Sequence, residues 1–287
     1  MNHDIPAFLK LNIDGYKSIA PGLPKRSIAA NSKVVEAKAA KPTTHELSDH
    51  DLANSLSAFA LASATSSPLD DQALLSVLQR QWSGIEGNTE CVSLGAQLIA
   101  AYREPTRTYH NLSHLVECLR LWREWRDEAD KPDEIAIALW FHDALYDTTR
   151  HDSEARSARW ALDALSAGGV PFDTVRRIRD LVIATRPNES PSSDDARLII
   201  DIDMAILGAS PDRYEQYEAD LLREHSHMAE FIYRRKRLEI LKSMSTRPRI
   251  YQSAVARDAL EAQARENITR SISRLQDRPT VGAQASV

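Results

Sequence analysis

The chain has 287 residues, and its 36 Lys and Arg against 41 Asp and Glu give a formal charge of −5, which offers no electrostatic reason to expect a nucleic-acid partner. Its two cysteines, Cys91 and Cys118, are too few for a disulfide framework and form no C-x-x-C pair, which fits a reducing compartment. No apolar run reaches the roughly 18 to 20 residues that cross a bilayer, and the N-terminus lacks a signal-peptide pattern. We therefore expect a cytoplasmic protein without a membrane partner.

Residues 1–70 have the composition of a linker. All five Trp lie beyond residue 81, and Ala, Ser, Thr and Pro dominate the stretch Ala29–Pro68. Such a segment has too little apolar surface to offset the entropy of ordering. We expect 1–70 to be a largely disordered tail in which Asp51–Ala62 could form a short helix, 71–277 to be one ordered domain, and 278–287 to be a C-terminal tail.

Within 71–277 the apolar residues recur at helical spacing, and no alternating run of β-branched residues is bounded by hairpin turns. The pattern predicts an all-α fold, and Pro132 at one helix start and Gly168 and Gly169 after another support the boundaries. The predicted helices, about ten in number, are Asp71–Trp82, Thr89–Arg103, Tyr109–Arg126, Asp133–Tyr146, Ser153–Ala167, Phe172–Thr185, Asp195–Leu207, Arg213–Glu224, Ala229–Ser243 and Gln252–Leu275.

The segment Ile135–Phe141 is a run of seven apolar residues, and His142 and Asp143 follow it directly. A helix with this run is buried on all sides, so an ionised Asp143 needs a partner: it is paired, protonated or bound to a metal. An Asp that accepts hydrogen bonds near a helix end, with the His in contact, is the alternative interpretation.

A pair of histidines precedes this segment. His110 and His114 are four residues apart, which predicts one helix face for both. His114 also shares a stripe with Cys118, Leu121 and Trp125, so we expect its side chain to point inward. A single inward His is most often a core residue, but two inward histidines and an inward Asp from neighbouring helices each need a partner.

The third polar position is Asp203. Its neighbours three and four residues away are apolar, so we expect Asp203 to be buried. Asp201 has Arg197 four residues before it, and an intrahelical ion pair between them accounts for Asp201. The alternative is that Asp201 contacts a metal ligand and orients it. Imidazoles and carboxylates from three helices suit a divalent ion such as Mn, Fe, Co, Ni or Zn with positions left open for water.

These residues resemble a known pattern. His114, His142-Asp143 and Asp203 are similar to the H…HD…D pattern of the HD superfamily of metal-dependent phosphohydrolases, which is all-helical. Over roughly residues 71–277 the chain resembles a subgroup of small predicted HD phosphohydrolases in five segments: Arg107-x-Tyr109-His110-Asn111-x-x-His114, Trp140-Phe141-His142-Asp143-x-x-Tyr146, Glu154-x-x-Ser157-Ala158, Asp201-x-Asp203-x-x-Ile206-Leu207-Gly208 and Ala264-Arg265-x-Asn267.

The resemblance implies an HD-type helical bundle in which His114, His142, Asp143 and Asp203 hold the metal. Two-metal HD enzymes draw further histidines from the interval between the HD pair and the last Asp. Between Asp143 and Asp203 this chain has only His151, so we expect one ion, which could be Mn, Co, Ni, Fe, Zn or Mg. The subgroup often has a His directly after the Thr that ends a later helix, whereas here Arg186 follows Thr185.

The sequence does not identify a general base. Asp143 could act as both ligand and proton acceptor, and Glu154 or Asp147 could orient the water. For Glu154, a first-turn carboxylate favoured by the helix dipole is an equally good explanation.

For substrate binding we expect Arg107, His110, Arg237 and Arg265, with ordinary ion pairs as the alternative for the arginines. The predicted activity is cleavage of a phosphate ester or anhydride of a small metabolite by metal-activated water. The expected metabolite is a nucleotide. The alternative is a catalytically weak HD domain that binds a nucleotide or a partner protein around a structural metal. The sequence leaves the oligomeric state open.

Overall fold

The computed structural model describes residues 71–85, 92–187 and 189–277, which all lie in one compact unit of the chain. These residues contain helices and no strand, which confirms the all-α prediction. Ten α-helices are described: α1 Asp71–Ser83, α2 Val92–Tyr102, α3 Leu112–Trp125, α4 Pro132–Phe141, α5 Ser153–Ala167, α6 Phe172–Ala184, α7 Asp194–Asp203, α8 Pro211–Glu224, α9 Glu230–Ser245 and α10 Ala254–Asp277.

Two short 3₁₀ segments complete the set, Arg126–Glu128 after α3 and Met204–Gly208 after α7. The predicted tails 1–70 and 278–287, with the suggested helix Asp51–Ala62, lie outside the described residues. Several predicted helix boundaries differ from those in the structure, and the differences at α3, α4 and α7 affect the candidate site.

Helix α4 forms the centre of the bundle, as its apolar run predicts. All of its residues from Glu134 to Phe141 are buried, and it packs against α1, α3, α5, α6 and α7. Its few polar groups are satisfied, because Trp140 donates its indole N–H to Gln81 Oε1 at 2.6 Å and Arg177 binds Glu134 through two bonds of 2.7 and 2.8 Å. The residues that follow α4 are therefore held in place from several sides.

Helix α4 ends at Phe141, so the prediction that His142 and Asp143 lie within a helix is wrong. Side chains from an earlier part of the chain take over the backbone groups that a longer helix would pair. Tyr102 Oη accepts the Asp143 N–H at 3.3 Å, and Arg107 donates to the carbonyls of Asp143 and Ala144 at 2.5 and 3.0 Å. His142 and Asp143 consequently lie in a turn pinned by α2 and the loop after it.

Helix α3 begins at Leu112, three residues later than predicted. Asn111 is its N-cap, and the Asn111 side chain accepts the Ser113 N–H at 2.8 Å, which stabilises a helix start at this point. His110 lies before the cap, so the expectation that His110 and His114 share one helix face is wrong. Their rings are nevertheless neighbours, with centroids 5.8 Å apart.

The predicted helix Asp195–Leu207 is α-helical only as far as Asp203, and a 3₁₀ segment follows it. Helix α10 approaches this segment closely at Gly208, where a Cβ atom would lie 2.6 Å from Leu260 Cβ and 2.8 Å from its carbonyl oxygen. Asn267 of α10 donates to the carbonyls of Leu207 and Ala209 at 2.9 and 2.8 Å. These contacts fix the end of α7, which carries Asp203.

Candidate metal centre

Four side chains from three parts of the chain converge at one point. His114 comes from α3, His142 and Asp143 from the turn after α4, and Asp203 from the last position of α7. His114 Nε2 lies 3.2 Å from His142 Nε2 and 3.2 Å from Asp203 Oδ1, and His142 Nε2 lies 3.2 Å from Asp143 Oδ2. The other two His to Asp distances are 3.5 and 3.7 Å. The structure thus brings together all four residues predicted as metal ligands.

The spacing of these atoms fits a single divalent ion. Nitrogen and oxygen ligands about 2.1 Å from one ion lie roughly 3.0 to 3.4 Å from one another in tetrahedral or octahedral arrangements, close to the observed distances. Two neutral imidazoles and two carboxylates carry two negative charges, which a divalent ion balances. Three of these residues, His114, His142 and Asp203, belong to a group that could hold a metal ion.

Cys118 belongs to the same cluster. Its Sγ lies 3.7 Å from both ring nitrogens of His114, and one ligand atom from each of His114, Cys118, His142 and Asp203 can be chosen so that all lie within 4.8 Å of one another. The sequence placed Cys118 on the inward stripe of α3 but assigned it no role. The signal that could have indicated one is its position four residues after a predicted metal ligand.

A hydrogen bond at Nδ1 of His142 leaves its Nε2 available as a ligand atom. Its Nδ1 lies 2.7 Å from the carbonyl oxygen of Leu139, which can only accept, so Nδ1 carries the proton and Nε2 faces the cluster. This is the arrangement in which a neutral histidine offers a lone pair from Nε2. The ring is 1% exposed and has little freedom to turn away.

The cluster is strongly coupled electrostatically. Burial lowers the pKa of His142, but the carboxylates of Asp143 and Asp203 raise it by more, so this pKa lies well above its ordinary value. Burial likewise raises the pKa of Asp143, and His142 outweighs that effect, leaving the carboxyl below its usual range. Positive charge is therefore favoured between the two carboxylates, whether a proton or a metal ion supplies it.

The structure corrects the interpretation of the two aspartates on α7. Asp201, predicted to pair with Arg197, is fully buried and accepts the backbone N–H groups of Gln252 and Ser253 at 2.6 to 3.0 Å. Arg197 pairs instead with Asp194. Asp203, expected to be the buried one, keeps a quarter of its side chain exposed. Asp201 therefore connects α7 to the start of α10, while Asp203 faces the cluster.

His110 lies beside the cluster and is held by a residue that the sequence reading did not single out. Its Nδ1 lies 2.6 Å from Glu224 Oε2, and Glu224 Oε1 also accepts the backbone N–H groups of Tyr109 and His110. The ring stacks on Tyr146 with centroids 4.1 Å apart. Glu224 is the last residue of α8, where the helix dipole disfavours a carboxylate, and this position was the available signal.

Glu154 lies in the first turn of α5 and is partly buried. Burial raises its pKa above the ordinary value, and the charges of Asp143 and Asp203 act in the same direction. A carboxylate with a raised pKa is a better proton acceptor at neutral pH than an ordinary one. Its predicted catalytic role stays a prediction.

The three arginines predicted to bind substrate have other partners in the structure. Arg107 is 6% exposed and holds the turn that carries Asp143, and Arg237 is 7% exposed and donates to Glu218 at 2.7 Å. Arg265 binds Glu261 at 2.6 Å and the carbonyls of Arg247 and Pro248, none of which belongs to the cluster. Their contact with substrate stays a prediction, whereas their structural roles are visible.

A cavity of about 690 Å³ adjoins the His110 and Glu224 pair. Glu224 and Tyr146, which hold His110, both line it, and its polar wall also contains Arg156, Arg223, Thr148 and His227. Pockets of about 300 to 1,000 Å³ are typical of small-molecule sites. The cavity therefore has the size of a small-molecule site beside Glu224 and Tyr146, and neither His110 nor the four clustered residues line it.

Comparison with protein-family models, with curated proteins and with solved structures found no match. Among the helices that the structure describes, none combines the length and the apolar character that crossing a membrane requires.

Proposed function

We propose that the chain is a metal-dependent phosphohydrolase that cleaves a phosphate ester or anhydride of a small metabolite. The observation that carries the proposal is the convergence of His114, His142, Asp143 and Asp203 at spacings of 3.2 to 3.7 Å. The order of these residues along the chain, which resembles the HD pattern, supports phosphate chemistry. The cavity lined by Tyr146 and Glu224 has the size for a small substrate such as a nucleotide.

A divalent ion in this cluster would supply a water of lowered pKa and offset the charge that builds on phosphorus. The chain's own groups orient this chemistry. Asp143 and Asp203 would hold the ion with one carboxylate each, and the bond from His142 Nδ1 to the Leu139 carbonyl leaves the Nε2 lone pair available to it. Arg107 does not need to touch substrate to contribute, because it holds the backbone that presents Asp143.

Two groups within electrostatic range of Asp143 and Asp203, Glu154 and His110, can move the protons of hydrolysis. The reaction forms a bond between the water oxygen and phosphorus and breaks the bond to the leaving oxygen, so one proton leaves the water and one must reach the leaving group. The Glu154 carboxylate accepts the first. His110, whose Nδ1 is held by Glu224 and whose ring plane is fixed by Tyr146, donates the second from Nε2.

The test is a screen of the metal-loaded protein. Phosphomonoesters, nucleotides and diphosphates are offered with Mn, Co, Ni, Zn or Mg, and Asp143→Ala serves as the blank. Asp163→Asn is the matched control, because Asp163 is an exposed aspartate paired with Arg159. We expect turnover of at least one substrate that Asp143→Ala loses together with its bound metal. A purified Asp143→Ala protein that keeps full metal occupancy and turnover would overturn the proposal.

The second candidate is a binding protein built around a structural metal. Cys118 favours it, because His114, Cys118, His142 and Asp203 could fill all four positions of a closed tetrahedral site. The same screen separates the two candidates. Bound metal without turnover of any substrate, together with tight binding of one nucleotide or of a partner protein, would support the binding protein.

A further inference from the structure

The thiol of Cys118 is the one soft donor in the part of the metal cluster that the structure describes. It lies four residues after His114 on the same face of α3, and the residue is 2% exposed. A buried cysteine usually serves as a small apolar residue. Here, however, it also lies against the His114 ring and in one group with His142 and Asp203, all of which offer metal-ligand atoms.

The distances allow sulfur to reach an ion held by the neighbouring groups. A thiolate at about 2.3 Å and an imidazole nitrogen at about 2.1 Å from one tetrahedral ion lie roughly 3.6 Å apart. Cys118 Sγ is 3.7 Å from both ring nitrogens of His114, and one ligand atom each of His114, Cys118, His142 and Asp203 lie within 4.8 Å of one another. The sulfur is therefore close enough to reach an ion held by the other three residues after a small movement of its side chain.

Asp143 and Cys118 complete two different sets around the same three residues. With Asp143, the set His114, His142 and Asp203 gains a hard oxygen donor, which suits Mg²⁺ and Mn²⁺. With Cys118 it gains a soft sulfur donor, which suits Zn²⁺, Cd²⁺ and Co²⁺.

We propose that Cys118 is a metal ligand that the cluster uses for thiophilic ions and leaves uncoordinated for hard ones. When Zn²⁺ or Co²⁺ binds, the S–H proton passes to solvent and the thiolate sulfur bonds to the ion; when Mn²⁺ or Mg²⁺ binds, the thiol stays intact. Cys118 thereby sets the metal preference of the site. The inference shares with the proposed function a metal ion at this cluster, but it does not depend on hydrolysis.

The first test is spectroscopic and needs no variant. Metal-free full-length protein is titrated with Co²⁺, and a thiolate ligand produces an intense sulfur-to-cobalt charge-transfer band in the near ultraviolet. We expect this band in the wild type and in Cys91→Ser, which removes the other thiol of the chain, and its loss in Cys118→Ser. Stoichiometric Co²⁺ binding by the wild type without the band would overturn the proposal.

The second test compares affinities, measured for Zn²⁺ and Mn²⁺ by competition with a chelator. We expect Cys118→Ser to weaken Zn²⁺ binding by about ten-fold or more and Mn²⁺ binding by less than about two-fold, because only the soft ion loses a ligand. Equal losses for both ions would assign Cys118 a packing role and overturn the proposal. Circular dichroism checks that the variant folds, and Cys118→Ala is the substitute if it does not.

The outcomes also separate this inference from the proposed function. A sulfur-to-cobalt band together with no turnover of any phosphate substrate would support Cys118 as a ligand and contradict the proposed phosphohydrolase activity. Turnover that depends on Asp143, without a sulfur band, would support the activity and contradict the role of Cys118.

Discussion

At the scale of single residues, the candidate site depends on side chains that bind backbone as well as on the ligands themselves. Arg107 is the clearest case, since its guanidinium donates to the carbonyls of Asp143 and Ala144 from a buried position. Glu224 acts in the same way on the backbone of Tyr109 and His110. These residues determine where the chemically active groups point.

Replacing Arg107 with Met tests this role. We expect a loss of about 2 to 4 kcal/mol in the free energy of unfolding, because two buried carbonyls lose their donors, together with weaker metal binding. Arg120→Met is the control: it breaks an exposed ion pair with Glu124, and we expect a change below about 0.5 kcal/mol. Urea denaturation measures both. An unchanged stability and metal affinity in Arg107→Met would contradict the assigned role.

The pair His110 and Glu224 predicts a pH dependence in the metal-free protein. Burial raises the pKa of Glu224, but its bond with His110 outweighs this and holds the pKa below the ordinary 4.5, so its stabilisation is lost as the pH falls through that lowered pKa. Burial lowers the pKa of His110, but Glu224 and Asp143 raise it above the ordinary 6.5, so its stabilisation is lost as the pH rises through that raised pKa.

We therefore expect the difference in unfolding free energy between wild type and Glu224→Gln to be largest between the two ordinary values, pH 4.5 and 6.5, and to shrink on both sides. Urea denaturation across the acid and neutral range measures it. A difference that stays constant with pH would show that the pair does not titrate in this way.

At the scale of secondary-structure elements, the position of each ligand follows from where a helix begins or ends. Asn111 starts α3 so that His114 lies in its first turn, α4 stops just before His142, and α7 stops at Asp203. Each of these ends is fixed by a specific side-chain contact. Shifting one of them would rotate its ligand out of the cluster.

The N-cap of α7 gives a test at this scale. Ser193 Oγ accepts the Ala196 N–H at 3.1 Å, and we expect Ser193→Ala to cost about 1 kcal/mol of unfolding free energy. Ser210 occupies the corresponding position of α8 without a side-chain cap bond, so Ser210→Ala should cost only a few tenths of a kcal/mol. Urea denaturation of the two variants compares them, and equal losses would contradict this account of the cap.

At the scale of the whole molecule, the cluster ties together parts of the chain that are distant in sequence. His114 lies in α3, His142 in the turn after α4 and Asp203 at the end of α7, and these parts meet because α3, α4 and α7 pack against one another. A metal ion bound by all of them would be linked to the folded state, because the unfolded chain does not hold these groups together.

Metal binding should therefore stabilise the fold. At a free ion concentration one hundred times Kd we expect a gain of about 2.7 kcal/mol in unfolding free energy, seen as a higher Tm that a chelator reverses. Asp143→Ala should lose this gain, and the exposed Asp163→Asn should keep it. Differential scanning calorimetry with and without the ion measures the effect. A Tm in the wild type that does not respond to any of the tested ions would contradict a metal at the cluster.

The sequence by itself determined the fold class, the central place of the apolar run Ile135–Phe141 and the residue types of the cluster. These follow from local patterns, because helical spacing and an uninterrupted apolar run depend only on near neighbours in the chain. The inward direction of His114 was predictable for the same reason. So was the need of Asp143 for a partner.

Only the tertiary structure decided where α3, α4 and α7 end and which inward groups meet. Tyr102 and Arg107, which lie in α2 and in the loop after it, bind the backbone where α4 ends. Glu224 contacts His110 across more than one hundred residues, and Asp201 binds the backbone just before α10. Periodicity shows which face of a helix points inward, but the partner it meets there depends on how separate helices pack. That packing is set jointly by many weak contacts along the whole domain, and no short segment of sequence contains it.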